Sequence, residues 1–296
     1  MSLVNDTGLV IAAHGRRGVL ETKSGTEHPF LARSRAIRPV CGDRVSWTRE
    51  QGQTTAVVNR IAERDNQLER MAPDGRRVEV LAANLTRVLV VVAPRPDTDW
   101  FLTDRYFCAA AMMGCDASLV VNKQDLYTEL APEARHYAKL GGSILQVSAE
   151  TGAGLDGLVE RLTDQIGILV GQSGVGKSSL INRLIPGADA AVGQLSTTTR
   201  EGRHTTSASI MHVLPNGGRL IDTPGVREFI PAIHDPQWVQ AGFPEVVQAA
   251  EHCRFNNCRH LREPDCAVKH AVEDGTVDPR RYESYKRLLR SIRVER

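Results

Sequence analysis

Nothing in this sequence reads as a membrane span, because no apolar run approaches the roughly 20 residues that a bilayer helix requires. The opening Met1-Ser2-Leu3-Val4-Asn5-Asp6 has no basic stretch leading into an apolar one, so a cytoplasmic location with no membrane partner is expected. Aromatic residues are scarce at 5%, and residues 1–83 hold only Phe30 and Trp47, which limits any base-stacking surface there. Net charge is nearly absent, +2 over 296 residues, so affinity for a polyanion must come from local excess. Basic against acidic residues number 13 to 10 in residues 1–83, 13 to 16 in 84–240 and 11 to 9 in 241–296. The excess sits at both ends, an arrangement that suits two flanking modules around a mildly acidic centre and is also common on ordinary solvated surfaces. The six cysteines do not read as a disulfide framework: Cys41, Cys108 and Cys115 are scattered and suit buried free thiols. A 41% hydrophobic content over this length predicts two or three globular domains.

What is present centres on Gly171-Gln172-Ser173-Gly174-Val175-Gly176-Lys177-Ser178, which reads G-x-x-x-x-G-K-S after the apolar run Ile166–Val170. A buried strand, a glycine-rich turn and a helix opening at Ser179 make a phosphate loop, with backbone N–H groups and the positive end of the helix facing phosphate oxygens. Lys177 is placed to reach β- and γ-phosphates, and Ser178 a magnesium ion.

Residues 1–83 show no helical periodicity. Short strands at Leu9–Ala13, Val19–Glu21, Phe30–Arg33, Val40–Trp47 and Thr54–Ile61 fit a small OB-type barrel. Arg33, Arg35, Arg38 and Arg44 give it a basic component that suits RNA or is simply solvated. Residues Arg70–Arg77 read as an exposed turn and linker. A continuous apolar run at Arg87–Ala93 then signals a parallel sheet buried on both faces and a new domain near residue 84. A helix is expected over Asp99–Met113, followed by a strand at Ala117–Val121 that leads into Asn122-Lys123-Gln124-Asp125. This N-K-x-D string suits guanine, whose N1–H and N2 amine an aspartate takes together. A later strand, Ile144–Val147, ends in Ser148-Ala149, a turn whose backbone suits the guanine oxygen. Beyond the phosphate loop come Gly202-Arg203-His204-Thr205-Thr206 and Asp222-Thr223-Pro224-Gly225. These read as two switches: Asp222 holding magnesium through water, the Gly225 amide sensing the γ-phosphate, and Thr206 or Thr205 reaching magnesium. The motif order is unusual, since N-K-x-D and Ser-Ala precede the phosphate loop. The α/β GTPase domain is therefore expected to be circularly permuted, occupying residues 84–240.

Residues 241–296 open with Cys253-x4-Cys258-x-His260-x5-Cys266, three thiols and an imidazole that suit one closed tetrahedral zinc site. A redox or catalytic thiol site is the alternative. Asp278-Pro279 then caps a helix with Tyr282, Tyr285, Leu289 and Ile292 on one face. Arg280, Arg281, Lys286, Arg287, Arg290 and Arg293 crowd its other faces, as a solvated surface or an rRNA contact.

In this order the barrel, N-K-x-D, Gly-Gln-Ser-Gly-Val-Gly-Lys-Ser-Ser-Leu, Gly-Arg-His-Thr-Thr, Asp-Thr-Pro-Gly and Cys-x4-Cys-x-His-x5-Cys closely resemble the ribosome small-subunit-dependent GTPase A family over essentially the whole chain. The resemblance implies a bacterial GTPase acting late in small-subunit maturation. It would contact rRNA through barrel and zinc domain and be stimulated by the subunit, with structural zinc, and magnesium bound with GTP; a monomer is expected. Where a run of three threonines is frequent in the family, the third position here is Ser207. The residue after D-x-x-G is Val226, which cannot orient a water, so His204 becomes the candidate for that task; Arg203 or a ribosomal group is the rival.

Overall fold

The computed structural model describes residues 3–188, 209–223 and 229–292. The first five strands are β1 (Leu3–His14), β2 (Arg17–Thr22), β3 (Glu27–Ala32), β4 (Arg44–Glu50) and β5 (Ala56–Ile61). They pair in the order β1-β2-β3-β5-β4, and β1 returns to β4 to close a barrel. Closure removes the unpaired edges that an open five-stranded sheet would expose. Val10, Leu20, Phe30, Val45, Trp47, Ala56 and Val58 fill the barrel. Of the expected strand Val40–Trp47, only Arg44 onward is extended. Residues 40–43 form a turn held by Asp43, which accepts from the Val40 N–H at 2.8 Å and pairs with Arg64 at 2.7 Å while fully buried.

The stretch read as a linker is instead part of a hairpin, β6 (Gln67–Met71) against β7 (Val78–Ala83), with the turn confined to the residues between them. Pro73-Asp74-Gly75 lies in the turn, and the flanking strands carry the weak alternation of a half-buried pair. Leu68 and Ala82 from the hairpin sit in one apolar cluster with Val88, Leu102 and Ile168 of the central sheet.

That sheet contains β8 (Arg87–Val92), β9 (Asp116–Val121), β10 (Ser143–Gln146), β11 (Ile166–Val170), β12 (Ser209–Val213) and β13 (Arg219–Asp222). Its order is β10-β9-β8-β11-β13-β12, parallel through β13. Successive residues feed opposite faces: Val88 and Val90 enter the cluster beneath helix α1 (Trp100–Met112), while Leu89 and Val91 enter the cluster beneath α3 (Leu155–Glu160) and α4 (Lys177–Leu184). Helix α2 (Pro132–Lys139) covers the β9 and β10 end through Ala134 and Tyr137. β12 runs antiparallel to β13 and pairs on its other side with β1 at Ala12 and Ala13, so barrel and central sheet are one continuous surface.

Helices α5 (Pro244–Ala250), α6 (Ala267–Glu273) and α7 (Pro279–Ser291), with a 3₁₀ turn over Pro236–Gly242, form the C-terminal part. Asp278 caps α7 by accepting from the Arg281 N–H at 2.9 Å, with Pro279 in the first turn as expected. The buried stripe of α7 differs from the sequence reading. It runs through Arg281, Tyr282, Ser284, Tyr285 and Leu288, so Arg281, placed among the solvated arginines, lies in the interior at 1% exposure. Apolar periodicity could not reveal it, because an arginine goes inside only where carboxylates wait for it. Asp104 of α1 and Glu245 of α5 are those carboxylates, accepting from Arg281 at 2.7 and 2.6 Å.

Candidate nucleotide and metal sites

All five parallel strands end on the same edge of the sheet, which is where ligands bind in open α/β sheets. Asn122 follows β9, Ser148 lies just beyond β10, Gly171 follows β11 and Asp222 ends β13. Segments that the chain order separates are therefore neighbours in space, because sheet order, not sequence order, fixes the edge.

The loop after β11 needs glycine at two positions. At Gly171 (φ 138°) a Cβ would stand 2.3 Å from the Val91 carbonyl oxygen, and at Gly176 (φ 96°) it would stand 2.3 Å from Asn122 Nδ2. Helix α4 begins at Lys177, two residues earlier than expected, and Ser178 and Ser179 lie exposed in its first turn. Lys177 Nζ donates to the carbonyls of Gly171 and Gln172 at 2.8 and 2.9 Å, and the Gln172 side chain accepts from the Asp99 N–H at 2.9 Å. Val175 is fully buried and anchors the loop in the core, while Ser173 and Gly174 are exposed.

Asn122 joins two loops. Its Nδ2 donates to the Val175 carbonyl at 2.9 Å and its Oδ1 accepts from the Ala149 N–H at 3.1 Å, both at a site only 1% exposed. Lys123, in the left-handed region at φ 62°, donates to the carbonyls of Arg95 and Gly174 at 2.7 and 3.0 Å. The Ser148 hydroxyl donates to Asp125 Oδ1, leaving the exposed carboxylate aimed by one fixed contact. The sequence placed Asn122, Lys123, Asp125, Ser148 and Ala149 together; it gave no sign that Arg95 and Asp99 supply the backbone groups that hold Lys123 and Gln172.

At the other side of the loop, burial pushes the Lys177 ammonium below the ordinary lysine range, with Asp222 opposing. Burial likewise raises the Asp222 carboxyl, with His212 and Lys177 opposing. Among the described residues no ion pair joins Lys177 to Asp222, so each charge is partly desolvated and open to a ligand of the opposite sign. Such a pair suits an anionic triphosphate and its accompanying cation. His204, Thr205, Thr206 and Gly225 lie outside the described residues.

Cys253, Cys258, His260 and Cys266 converge, with all four donor atoms within 4.8 Å of one another. The sulfurs of Cys258 and Cys266 are 3.8 Å apart, those of Cys253 and Cys266 3.9 Å, and His260 Nδ1 lies 3.4 and 3.5 Å from the sulfurs of Cys266 and Cys253. Edges of about 3.5 to 3.8 Å are those of a tetrahedron with metal–sulfur and metal–nitrogen bonds near 2.3 and 2.0 Å, so the donor set fits a closed metal site. Burial pushes the Cys258 thiol up to about 12 without an ion; a bound cation supplies the charge that thiolates need there. Gln240 lies 3.1 Å from His260 Nε2 and orients the imidazole, while the Tyr282 hydroxyl donates to the His260 carbonyl and holds its backbone. His252 and His270 are exposed and stand apart from the cluster, as expected.

Residues 61–230 match the RsgA GTPase family model. A small ribosomal subunit biogenesis GTPase RsgA from Pseudomonas aeruginosa is 40% identical over 292 residues, covering 97% of this chain and 85% of that one. Its counterpart from Azotobacter vinelandii is 41% identical over 295 residues, covering 96% and 85%. Among solved structures, YjeQ from Thermotoga maritima superposes with a TM-score of 0.73 at 28% identity, covering 99% of this chain and all of that one. YloQ, described as a circularly permuted GTPase, shares the fold with a TM-score of 0.71 at 23% identity, covering 98% and 95%. The motif order, the shared edge and these likenesses agree: the chain belongs to the RsgA GTPase family.

Proposed function

We propose that this chain hydrolyses GTP as a switch in late maturation of the small ribosomal subunit, bound to that subunit's rRNA and stimulated by it. The observation that carries the reading is the Asn122 side chain, which ties the loop after β11 to the turn at Ala149 and so makes the base-side and phosphate-side segments one unit. In this reading Asp125 takes the guanine N1–H and N2 amine, with Ser148 fixing one of its oxygens and Ala149 offering its backbone to the guanine oxygen. The loop from Gly171 to Ser179 cradles the phosphates, and Lys177 leaves its two carbonyl partners for the β- and γ-oxygens. Ser178, Asp222 and Thr206 or Thr205 hold magnesium, and Gly225 reports on the γ-phosphate. Held there, magnesium would supply positive charge against the charge that develops in transfer. His204 positions the attacking water when the first switch closes.

The cysteine and histidine cluster holds one structural zinc, because no position of the tetrahedron is left for a substrate. Residues 1–83 serve as an RNA-binding barrel, 84–240 as the GTPase domain and 241–296 as the zinc domain, in a cytoplasmic monomer. Both relatives are named for biogenesis of the small subunit, which supports that partner. Cosedimentation with small subunits in GTP, GDP and nucleotide-free conditions tests the reading. Binding that depends on the nucleotide agrees with it, and binding blind to the nucleotide, or absent, contradicts it.

A further inference from the structure

Beside the thiol cluster the Cys253–Cys258 loop and the 236–242 turn enclose a cavity of about 480 Å³ that the nucleotide site does not use. Its wall includes Gln237, Gln240, Asn256, Asn257, Arg259 and Tyr285. Gln240 is committed to His260, and the Tyr285 hydroxyl to the Arg259 carbonyl. The side-chain amides of Gln237, Asn256 and Asn257 have no hydrogen-bond partner among the described residues; Gln237 uses only its backbone N–H, which donates to its neighbour Asp235 on the same wall. Three exposed amides lining one hollow offer paired donors and acceptors of the kind that read base edges.

The loop next to the cavity adds two further features, on residues that flank Asn256 and Arg259 in the chain rather than line the hollow. Phe255, which opens the turn closed by the Cys258 N–H at 3.1 Å from its carbonyl, keeps 39% of its surface exposed, with the Arg254 guanidinium 5.5 Å from its ring centre. Arg254, Arg259 and Arg262 are exposed and make no ion pair among the described residues. The nearby Glu263 carboxylate makes its hydrogen bonds to backbone N–H groups and not to these guanidiniums. Burial works to raise the Glu263 carboxyl, but the N–H groups of Arg259, Leu261 and Arg262 outweigh it and hold it at about 2, turned into the backbone. An exposed ring, exposed amides and guanidiniums without an ion pair together match a nucleotide's three parts: π-face, polar edge and phosphate.

We propose that this cavity takes an unpaired RNA nucleotide, its base stacked on Phe255 and its edge met by Gln237, Asn256 and Asn257, with the flanking phosphates on Arg254 and Arg259. The proposal rests on the RNA-binding reading above and names what the zinc region recognises, a base outside a helix. Base-paired RNA cannot offer this, since its edges are occupied and its faces stacked.

The test uses the full-length, metal-loaded protein and two fluorescent RNA duplexes, one fully paired and one with a three-nucleotide adenine bulge, followed by anisotropy at fixed salt. The bulged RNA binds at least about fivefold tighter than the paired one, as stacking of one base predicts. Phe255→Ala and the double variant Asn256→Ala/Asn257→Ala each lose that preference while retaining the metal and GTP turnover. Arg254→Ala weakens both RNAs alike and lowers the salt dependence by about one phosphate contact. Equal binding of the two duplexes by the parent, or a preference that survives in both loop variants, overturns the pocket while leaving RNA binding in place. No binding of either RNA overturns the RNA-binding reading itself.

Discussion

Replacing Asp104 with Asn tests how the C-terminal region is held to the nucleotide-binding core. Asp104 is wholly buried on α1 and accepts from Arg280 at 2.6 Å, Arg281 at 2.7 Å, Ser284 and Tyr137. Arg281 in turn spans to Glu245 at 2.6 Å and to the Gly242 carbonyl at 3.2 Å. Two carboxylates balance two guanidiniums, so the network is neutral and nearly dry. Asparagine keeps the shape and removes the charge, which leaves two guanidiniums facing Glu245 alone. Losing one partner of a buried pair costs about 3 to 5 kcal/mol. With a urea slope of about 2 kcal/mol per M, the midpoint falls by about 1.5 to 2.5 M. Urea unfolding followed by circular dichroism and by metal release to a chromophoric chelator measures it, because the cluster lies in the segment between α5 and α6, and α5 is joined to this network through Glu245. Ser284→Ala, which removes one neutral donor, serves as the control at about 1 kcal/mol. A midpoint for Asp104→Asn within about 0.5 M of that control would refute the account of the network as the tether.

Other outcomes follow from the two sites. Asp125→Asn is expected to weaken GTP and favour xanthosine triphosphate, whose 2-oxo group suits an amide donor; competition binding with unchanged GTP preference would remove Asp125 from base reading. Cys258→Ser is expected to release zinc and unfold the C-terminal region, since a small metal-held fold lacks an adequate core without it. One zinc per chain by elemental analysis of that variant would rule out the ligand set. His204→Ala is expected to bind GTP and small subunits normally but to lose most subunit-stimulated hydrolysis, by about 10²-fold or more as for a positioned proton-transfer or water-orienting group; stimulation equal to the parent would exclude His204.

Much of this was legible because it depends on local pattern. The continuous run at Arg87–Val92 and the apolar stretch at Ile166–Val170 could only be strands buried on both faces, and both are. Asp278 announced the start of α7 through capping chemistry and caps it; Asp99, expected only to begin a helical stretch, caps α1 as well. The nucleotide motifs carried their own spacing, so even the permuted order pointed to one sheet edge. What stayed hidden was long-range. No local signal told that β1 pairs with β12, and the hairpin around Pro73-Asp74-Gly75 was masked by strands too polar to alternate cleanly. Asp104 and Arg281 look like surface residues in any helical projection, because their burial depends on partners 177 positions apart in the chain. Gln240 beside His260 is of the same kind.

A guanine-specific hydrolase governed by the small ribosomal subunit has a direct kinetic signature. Phosphate release from GTP, measured with and without purified small subunits and with ATP as the parallel substrate, tests it most directly. Slow GTP turnover by the free protein, a large rise in kcat on adding subunits with little change in KM, and no comparable ATP turnover are expected. GTP hydrolysis that is absent, or equal with and without subunits, would contradict it.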